Sequence, residues 1–508
     1  MEVDNEADTS FAESTHKFLT WFQSLPGAGI RTDLIAMEDL RSRNAGRGIV
    51  AKADIPADTV LFTVPRDAII CSATTALKNE IPDIFDLEGE GDGSSDLGDE
   101  DGTSSSSQDS WSLLILILMY EHFRGDASKW KPYLEVLPST FDTPMFWSPA
   151  ELSELQASAL VARVGKGEAD AMIESKILPV IRAHEHVFFP RGRGGVDDIQ
   201  LLEIAHRMGS AIMAYAFDLE KDDDDDAAAT ANDVEDEWVE DREGRTMLGM
   251  VPMADMLNAD AEFNAHINHG EDSLTATTLR PIRAGEEILN YYGPLPNSEL
   301  LRRYGYVTPK HSRYDVVELP WELVETGLKE RLVGSGRVGS AYWDKVCKLI
   351  RLDDNGDDDF EESFVLERLS DDPDSAGQLE GDAVFTGLPD ELGDQVKAVL
   401  KALKKVAQID LVSDKNSRKE VYLQAVLGAL QARERQYATS LEDDESLMRE
   451  GRLTGRQNMG LWVRRGEKQL LREAKAWVRR ELDQLLDRAA DNSRTGEDDG
   501  PVAKRRRT

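Results

Sequence analysis

The sequence has almost no cysteine. Only Cys71 and Cys347 occur among 508 residues. Two such distant thiols exclude a disulfide framework and any four-cysteine zinc site, and they suit a reducing compartment. Long apolar runs are also missing. The best, "LLILILMY" at residues 113–120, falls far short of the ~20 residues a membrane span needs, so it reads as a buried helix. The first ten residues, "MEVDNEADTS", are acidic and polar, so no secretory leader is expected. Positive charge is scarce: 59 Lys and Arg face 97 Asp and Glu, a net charge of −38. Phosphates would be repelled, which argues against non-specific nucleic-acid binding and leaves a basic protein partner or plain solubility.

What is present is enough for real cores. Hydrophobic residues make up 40% of the chain, and its length calls for two or three domains. Three acidic stretches punctuate it: residues 86–110, residues 219–244 and a run from Asp353. None shows apolar periodicity. The first two read as disordered surface insertions and the third as a loop. Residues 1–17 and 491–508 read as unstructured tails. The last tail carries a basic cluster, Lys504–Arg507, of nuclear-import type, so nucleus with cytoplasm is the expected location.

Between these breaks lie patterned segments. Residues 18–25 carry aromatics at helical spacing. Residues 30–70 are strand-like and rich in hairpin signals. Residues 111–217 form an α-rich block. Within it Ser148, Pro149 and Glu151 write a helix start with a capping box. "LLEIAHRMGSAIMAYAFDL", residues 201–219, reads as one buried helix. Strand–turn–strand returns with "LTATTLRPIRAGEEILNYYG", and "NSELLRRYGYV" is a short helix ended by Gly305. From about Pro320 three segments repeat apolar residues at i, i+3, i+4 and i+7, as an all-α C-terminal domain would.

Three motifs invite chemistry. The first, "MLGMVPMADMLNADAEFNAHINH" at residues 247–269, offers Asp255, Asn258 and Asp260, then His266 and His269. The histidines, three apart, would make a metal pair on a helix. Neither cysteine nor an HExxH pattern fills the shell, so no metal is expected. The second, "NAGRGIVA", places Gly46 and Gly48 around Arg47 before a strand. No helix follows, which disfavours a dinucleotide-binding crossover but permits close backbone approach to a ligand. The third is a set of tyrosines. Tyr291, Tyr292, Tyr304 and Tyr306 fall within sixteen residues beside Gly293 and Gly305, as the wall of a narrow channel that orients an amine would require.

In this order the three motifs resemble the SET-domain protein lysine methyltransferases. Residues 111–147 resemble the helical insertion of the Rubisco large-subunit methyltransferase class, and the helical C-terminal part resembles that class's substrate-binding domain. "MVPMADMLNAD" with "RRYGYV" is similar to the fungal ribosomal lysine methyltransferase 4 group and its animal relative, SET domain-containing protein 6. The resemblance covers about residues 18–490. It implies an α+β chain: a SET domain over residues 18–310 with a helical insertion at about 111–217, and a substrate-binding domain over residues 320–490. The "ADMLNAD" and "NYYG" segments would cross in a knot-like substructure. S-adenosyl-L-methionine would lie on one side, and a lysine would enter from the other.

The resemblance also assigns residues. Ala45, Gly46 and Arg47 would hold the cofactor through backbone atoms. Asn258 would hold it by its side chain and Ala259 by its main chain, with Asp255 supporting the turn. Tyr215 would lie near the methionine end, and Tyr306 would wall the adenosine or the channel. Tyr292 and Tyr304 would be the active-site pair, with Tyr291 a rival for the first place, and Tyr291 and Tyr292 would also line the cofactor. Most SET domains carry histidine where this chain has Ala259, and many carry one tyrosine where this chain has "NYYG". The implied reaction is monomethylation of a lysine in a 60S ribosomal protein by a monomer without nucleic-acid or membrane partners. Histone or transcription-factor clients are one alternative. A catalytically silent scaffold for basic proteins is another.

The chemistry suits those residue types. A free lysine has a pKa of ~10.4, so holding it neutral at pH 7 costs about 4–5 kcal/mol unless its surroundings help. Burial beside a positive sulfonium supplies that help, and no dedicated base is required.

Overall fold

The computed structural model describes residues 2–43, 45–85, 105–190, 192, 196–220, 246–336, 338–350, 360–407, 415–453 and 455–495. Most of each acidic stretch and the basic cluster at 504–507 lie outside these residues. Two edges of the expected insertions are ordered elements. Ser105 to Ser110 begin the helix Ser105–Arg124, and Leu219 lies in a strand. Residues 2–17, expected to be unstructured, belong to a helix, Glu2–Ser24. The helix continues into the aromatic segment, where Phe18 and Phe22 are fully buried, and Phe18 meets Tyr133 at 6.2 Å between ring centroids.

Ten strands build the first unit: β1 (Gly29–Ile30), β2 (Ile35–Asp39), β3 (Arg47–Ala51), β4 (Val60–Pro65), β5 (Ala216–Glu220), β6 (Thr246–Met250), β7 (Asn258–Ala259), β8 (Ala265–His269), β9 (Ser273–Thr278) and β10 (Glu287–Asn290). They form small sheets ordered β1-β4-β9-β8 and β2-β3-β10-β7, with a separate β5–β6 pair. Alternation explains their packing. In β9 every second residue is buried, as a strand with one face on a core requires. The stretch 201–219 departs from its expectation. The helix Asp198–Tyr215 stops at Tyr215, and β5 begins at Ala216, because the next five residues pair with β6 from Met250 back to Thr246.

The apolar run at 113–120 occupies the middle of the helix Ser105–Arg124, and all eight residues are buried. A helix apolar on every side is a core helix. It packs against the helix Asp198–Tyr215, where Gly209 lets the ring of Trp111 approach.

A second core spans Val317 to Leu485. Helices Trp321–Leu332, Asp390–Ala407, Lys415–Arg435 and Gly455–Thr495 supply most of it. It is not purely helical. Strand β11 (Val317–Pro320) pairs antiparallel with β12 (Ser363–Leu366), and each buries alternate residues.

Buried polar groups join the long helix Gly455–Thr495 to both units. Arg464 meets Glu154 of the insertion at 2.7 Å and Asp444 at 3.1 Å, and Lys468 donates to the same Asp444. Glu467 accepts from Ser158 at 2.6 Å and from Tyr437 at 2.8 Å.

Candidate active site

The site grows from one short parallel contact. Asn258 and Ala259 of β7 pair with Leu289 and Asn290 of β10, which also pairs antiparallel with β3. This brings three segments far apart in sequence to one place. β10 runs directly into Tyr291 and Tyr292, and neighbours on an extended chain face opposite ways. The two tyrosines therefore part. Tyr292 stacks on Tyr304, with centroids 4.6 Å apart and planes at 21°, and its hydroxyl donates to the Leu257 carbonyl at 3.2 Å. Tyr306 lies 6.2 Å from Tyr304 and donates to the Ala259 carbonyl at 3.3 Å. Tyr291 instead stacks on Phe263 at 4.6 Å, and its hydroxyl faces Tyr314. Three of the four tyrosines thus form one cluster, and Tyr291 turns away from it.

Tyr304 closes the helix Asn297–Tyr304, whose buried face includes Leu300 and Leu301. Gly305 then turns the chain at φ 77°, which places Tyr306 beside the others. Burial raises all of these phenols. Tyr304 is pushed up to about 12, and Tyr292 well above its ordinary value, with neighbouring phenols adding to the effect. At neutral pH each remains a neutral hydroxyl able to donate.

The glycine-containing loop meets Asn258 here. The Asn258 amide donates to the Arg47 carbonyl at 3.2 Å and to Glu287 at 2.7 Å. Gly48 leaves the room this approach uses. A Cβ there would lie 2.4 Å from Leu40, 2.9 Å from the Asn258 amide nitrogen and 2.9 Å from Glu287. Gly48→Ala should therefore cost about 1–3 kcal/mol of stability through overpacking, and it should also weaken cofactor binding; thermal melts and calorimetry check the two effects. Gly46 is different, since a Cβ there would meet nothing within 4 Å. The loop is closed by hydrogen bonds from Leu40 to Gly46 and from Ala45 to Leu40. The Arg47 side chain points away from Asn258. It donates to Ser14 at 2.7 Å, Thr15 at 2.9 Å and the Val136 carbonyl at 2.9 Å, and lies 3.8 Å over Phe11. Only its backbone faces the crossing. A hollow of about 330 Å³ has Glu287, Asn264 and Leu289 in its wall.

Asp255 lies in the 3-10 turn Ala254–Met256, deeply buried. One carboxylate oxygen accepts from Tyr133 at 2.5 Å, and the backbone N–H groups of Met253 and Asp255 also act on the carboxylate. Burial pushes this carboxyl up to about 7, against the pull of Tyr133, and Tyr215 is pushed up to about 12 by burial and by Asp255. Met253, just before the turn, holds a non-glycine φ of 81°, a strained backbone of the kind that collects at working sites. Because the folded pKa of Asp255 is raised, its neutral form favours folding. That contribution is complete below the ordinary carboxylate pKa of 3.8 and is lost as pH rises toward about 7. Wild type should therefore lose melting temperature relative to Asp255→Asn between pH 4 and pH 7; a constant difference across that range would refute the assignment.

Sequence reading missed Tyr133, which comes from the helical insertion 122 residues before Asp255. No local signal pairs them. It also missed Glu287, although "GEEILNYYG" places it in plain view. The histidines of the opening motif lie on strand β8, not on a helix. His266 and His269 are both exposed, and a spacing of three on a strand sends them to opposite faces. Among the described residues no group of three His, Cys, Asp or Glu is placed to hold a metal ion.

The geometry has counterparts in known proteins. The SET domain family model matches residues 46–293, from Gly46 of the loop to the glycine after Tyr292. A second, Rubisco LSMT substrate-binding, matches residues 393–471. Residues 46–293 therefore carry a SET domain. Among its relatives is "Ribosomal lysine N-methyltransferase 4" of Saccharomyces cerevisiae, 31% identical over 68% of this chain and 65% of the yeast protein, just under two thirds of that protein's length. "N-lysine methyltransferase SETD6" of Homo sapiens is 27% identical over 84% of each chain. The structure described as Rubisco LSMT bound to AdoMet superposes with a TM-score of 0.58 at 21% identity, covering 93% of both chains. At that identity the superposition speaks for the fold. Of the residues expected at the site, Arg47, Asn258, Ala259, Tyr292, Tyr304 and Tyr306 are joined at the strand crossing by the contacts above. Tyr291 stands outside it.

Proposed function

We propose that this chain is an S-adenosylmethionine-dependent protein-lysine N-methyltransferase that adds one methyl group to a lysine of a 60S ribosomal protein. The observation that carries the reaction is the buried tyrosine cluster, with Tyr292 and Tyr306 tied to the carbonyls of Leu257 and Ala259 at the strand crossing.

The residues fit the cofactor. Gly46 faces open space, the Arg47 and Ala259 backbones lie at the crossing, and the Asn258 amide is poised between Arg47 and Glu287. S-adenosylmethionine supplies a methyl group on a positively charged sulfur. The protein's task is alignment and keeping the lysine amine neutral. Stacked, buried phenols form a wall with little water, which disfavours an ammonium. The Tyr292 and Tyr304 hydroxyls would orient the amine toward the methyl group that the cofactor supplies. The surplus proton leaves to water.

The ribosomal client rests on the name of the yeast relative and on charge. A body at −38 attracts a Lys/Arg-rich client, so kcat/KM should fall as salt rises. Equal values at low and high salt would remove steering. A histone or transcription-factor client is the second reading, left open by the human relative, whose similarity spans more of both chains and whose name specifies no client. Quantitative proteomics of cells lacking the enzyme separates the two: the first requires loss of a methyl-lysine on a 60S protein, the second requires that loss elsewhere. A nuclear location goes with either, through the basic cluster at 504–507.

A further inference from the structure

The C-terminal unit holds a cleft of about 820 Å³ that shares no lining residue with the tyrosine cluster and lies largely within the region matching the Rubisco LSMT substrate-binding model. Two helices wall it. Along Asp390–Ala407 the lining positions are 393, 396, 397, 400, 401 and 404, and along Lys415–Arg435 they are 415, 418, 419 and 422. Steps of three and four put each set on one helix face. The floor is apolar: Val396, Leu400, Tyr422 and Trp477, with Pro389 at one end. The rim is cationic. Lys397, Lys401, Lys404, Lys415, Arg418 and Lys419 line it, and among the described lining residues the only carboxylate is that of Asp390. Asp394 and Glu481 partly offset Lys397 and Lys419, at 2.7 and 2.6 Å.

In a chain with 97 acids and 59 bases, six cations around one apolar trough are out of keeping with the rest of the molecule. Solubility does not call for them, since the chain is already far from neutral. An apolar floor with a charged rim is the form of a groove that receives an amphipathic helix, its apolar face down and its acids against the rim. Nucleic acid fits less well. Val396, Leu400 and Pro389 offer bases no hydrogen bonds, and a long polyanion would be repelled by the acidic body.

We propose that this cleft docks a short acidic amphipathic helix of a partner protein. The partner surface it selects is opposite in charge to the basic segment expected at the tyrosine site. The inference does not rest on methyl transfer, and its test reads binding alone.

The probe is a fluorescein-labelled 16-residue peptide with Leu at i, i+3, i+4 and i+7 spacing and Glu elsewhere, titrated by anisotropy with the full-length chain. Expected are saturable binding and at least a tenfold rise in Kd for the Lys401→Glu, Lys404→Glu double variant, with its melting temperature unchanged. Lys329→Glu, on a different helix, should leave Kd unchanged. Three results would overturn the proposal: no rise in Kd for the double variant, equal affinity for a peptide with its Leu spacing scrambled, or displacement of the peptide by a 16-nucleotide oligo(U) at the same or lower concentration.

Discussion

Replacing Tyr292 with phenylalanine should lower kcat by about 10²-fold, the usual cost of losing one positioned donor, while leaving the S-adenosylmethionine Kd unchanged. The substitution keeps the ring and hence the 4.6 Å stack on Tyr304. It removes only a hydroxyl tied to the Leu257 carbonyl. Tyr291→Phe is the matched control. It removes a neighbouring hydroxyl that faces Tyr314, on the other side of the strand, and should leave kcat unchanged. Single-turnover rates with calorimetry on both variants decide the matter. If Tyr291→Phe were the slow enzyme, the register of β10 into the cluster would be wrong.

The second large effect concerns the anchoring of the long helix Gly455–Thr495. Asp444→Ala should destabilise the protein by about 3–5 kcal/mol, because it leaves two buried cations without their shared carboxylate. Asp444 and Lys468 are wholly inaccessible and Arg464 nearly so. Arg464 lies 3.1 Å from Asp444, and Thr439 donates to the same carboxylate at 2.9 Å. Glu442 offers the comparison. It pairs with Arg472 at 3.4 Å on the surface, where such a bridge contributes at most about 1 kcal/mol. Urea midpoints for Asp444→Ala and Glu442→Ala should therefore differ widely. Similar midpoints would mean that the buried network does not hold the long helix in place.

Much of this architecture is legible in the sequence, and the parts that are not have physical reasons. The core helix at 113–120 shows itself as an apolar run too short for a membrane. The capping box at Ser148 and Glu151 and the stop at Gly305 are local chemistry, and the structure has both. Pairings between distant segments are another matter. β5 looks helical because "MAYAFDL" continues an apolar pattern, and only the partner strand β6 turns it into a hairpin arm. β11 and β12 hide in the same way, each needing the other. The helix Glu2–Ser24 begins in polar residues, and its Phe11 and Thr15 are engaged by Arg47, a contact no periodicity announces.

At the site, the residue types were readable and their directions were not. Choosing Tyr292 over Tyr291 requires knowing where β10 ends, since one step reverses the face. The partnership of Asp255 with Tyr133 spans 122 residues. Ala259 raised the sharpest doubt, standing where histidine is usual. The structure places its main chain in the crossing, paired to Asn290 and accepting from Tyr306, so a methyl side chain suffices for these contacts.

The most direct test is mass spectrometry after incubating the full-length chain with isotopically labelled S-adenosylmethionine and purified 60S ribosomal proteins. The tyrosine crossing predicts one labelled methyl group on a specific lysine, lost with Tyr292→Phe and kept with Tyr291→Phe. Cofactor binding by wild type with no label on any protein lysine, across ribosomal proteins, histones and whole-cell extract alike, would contradict it.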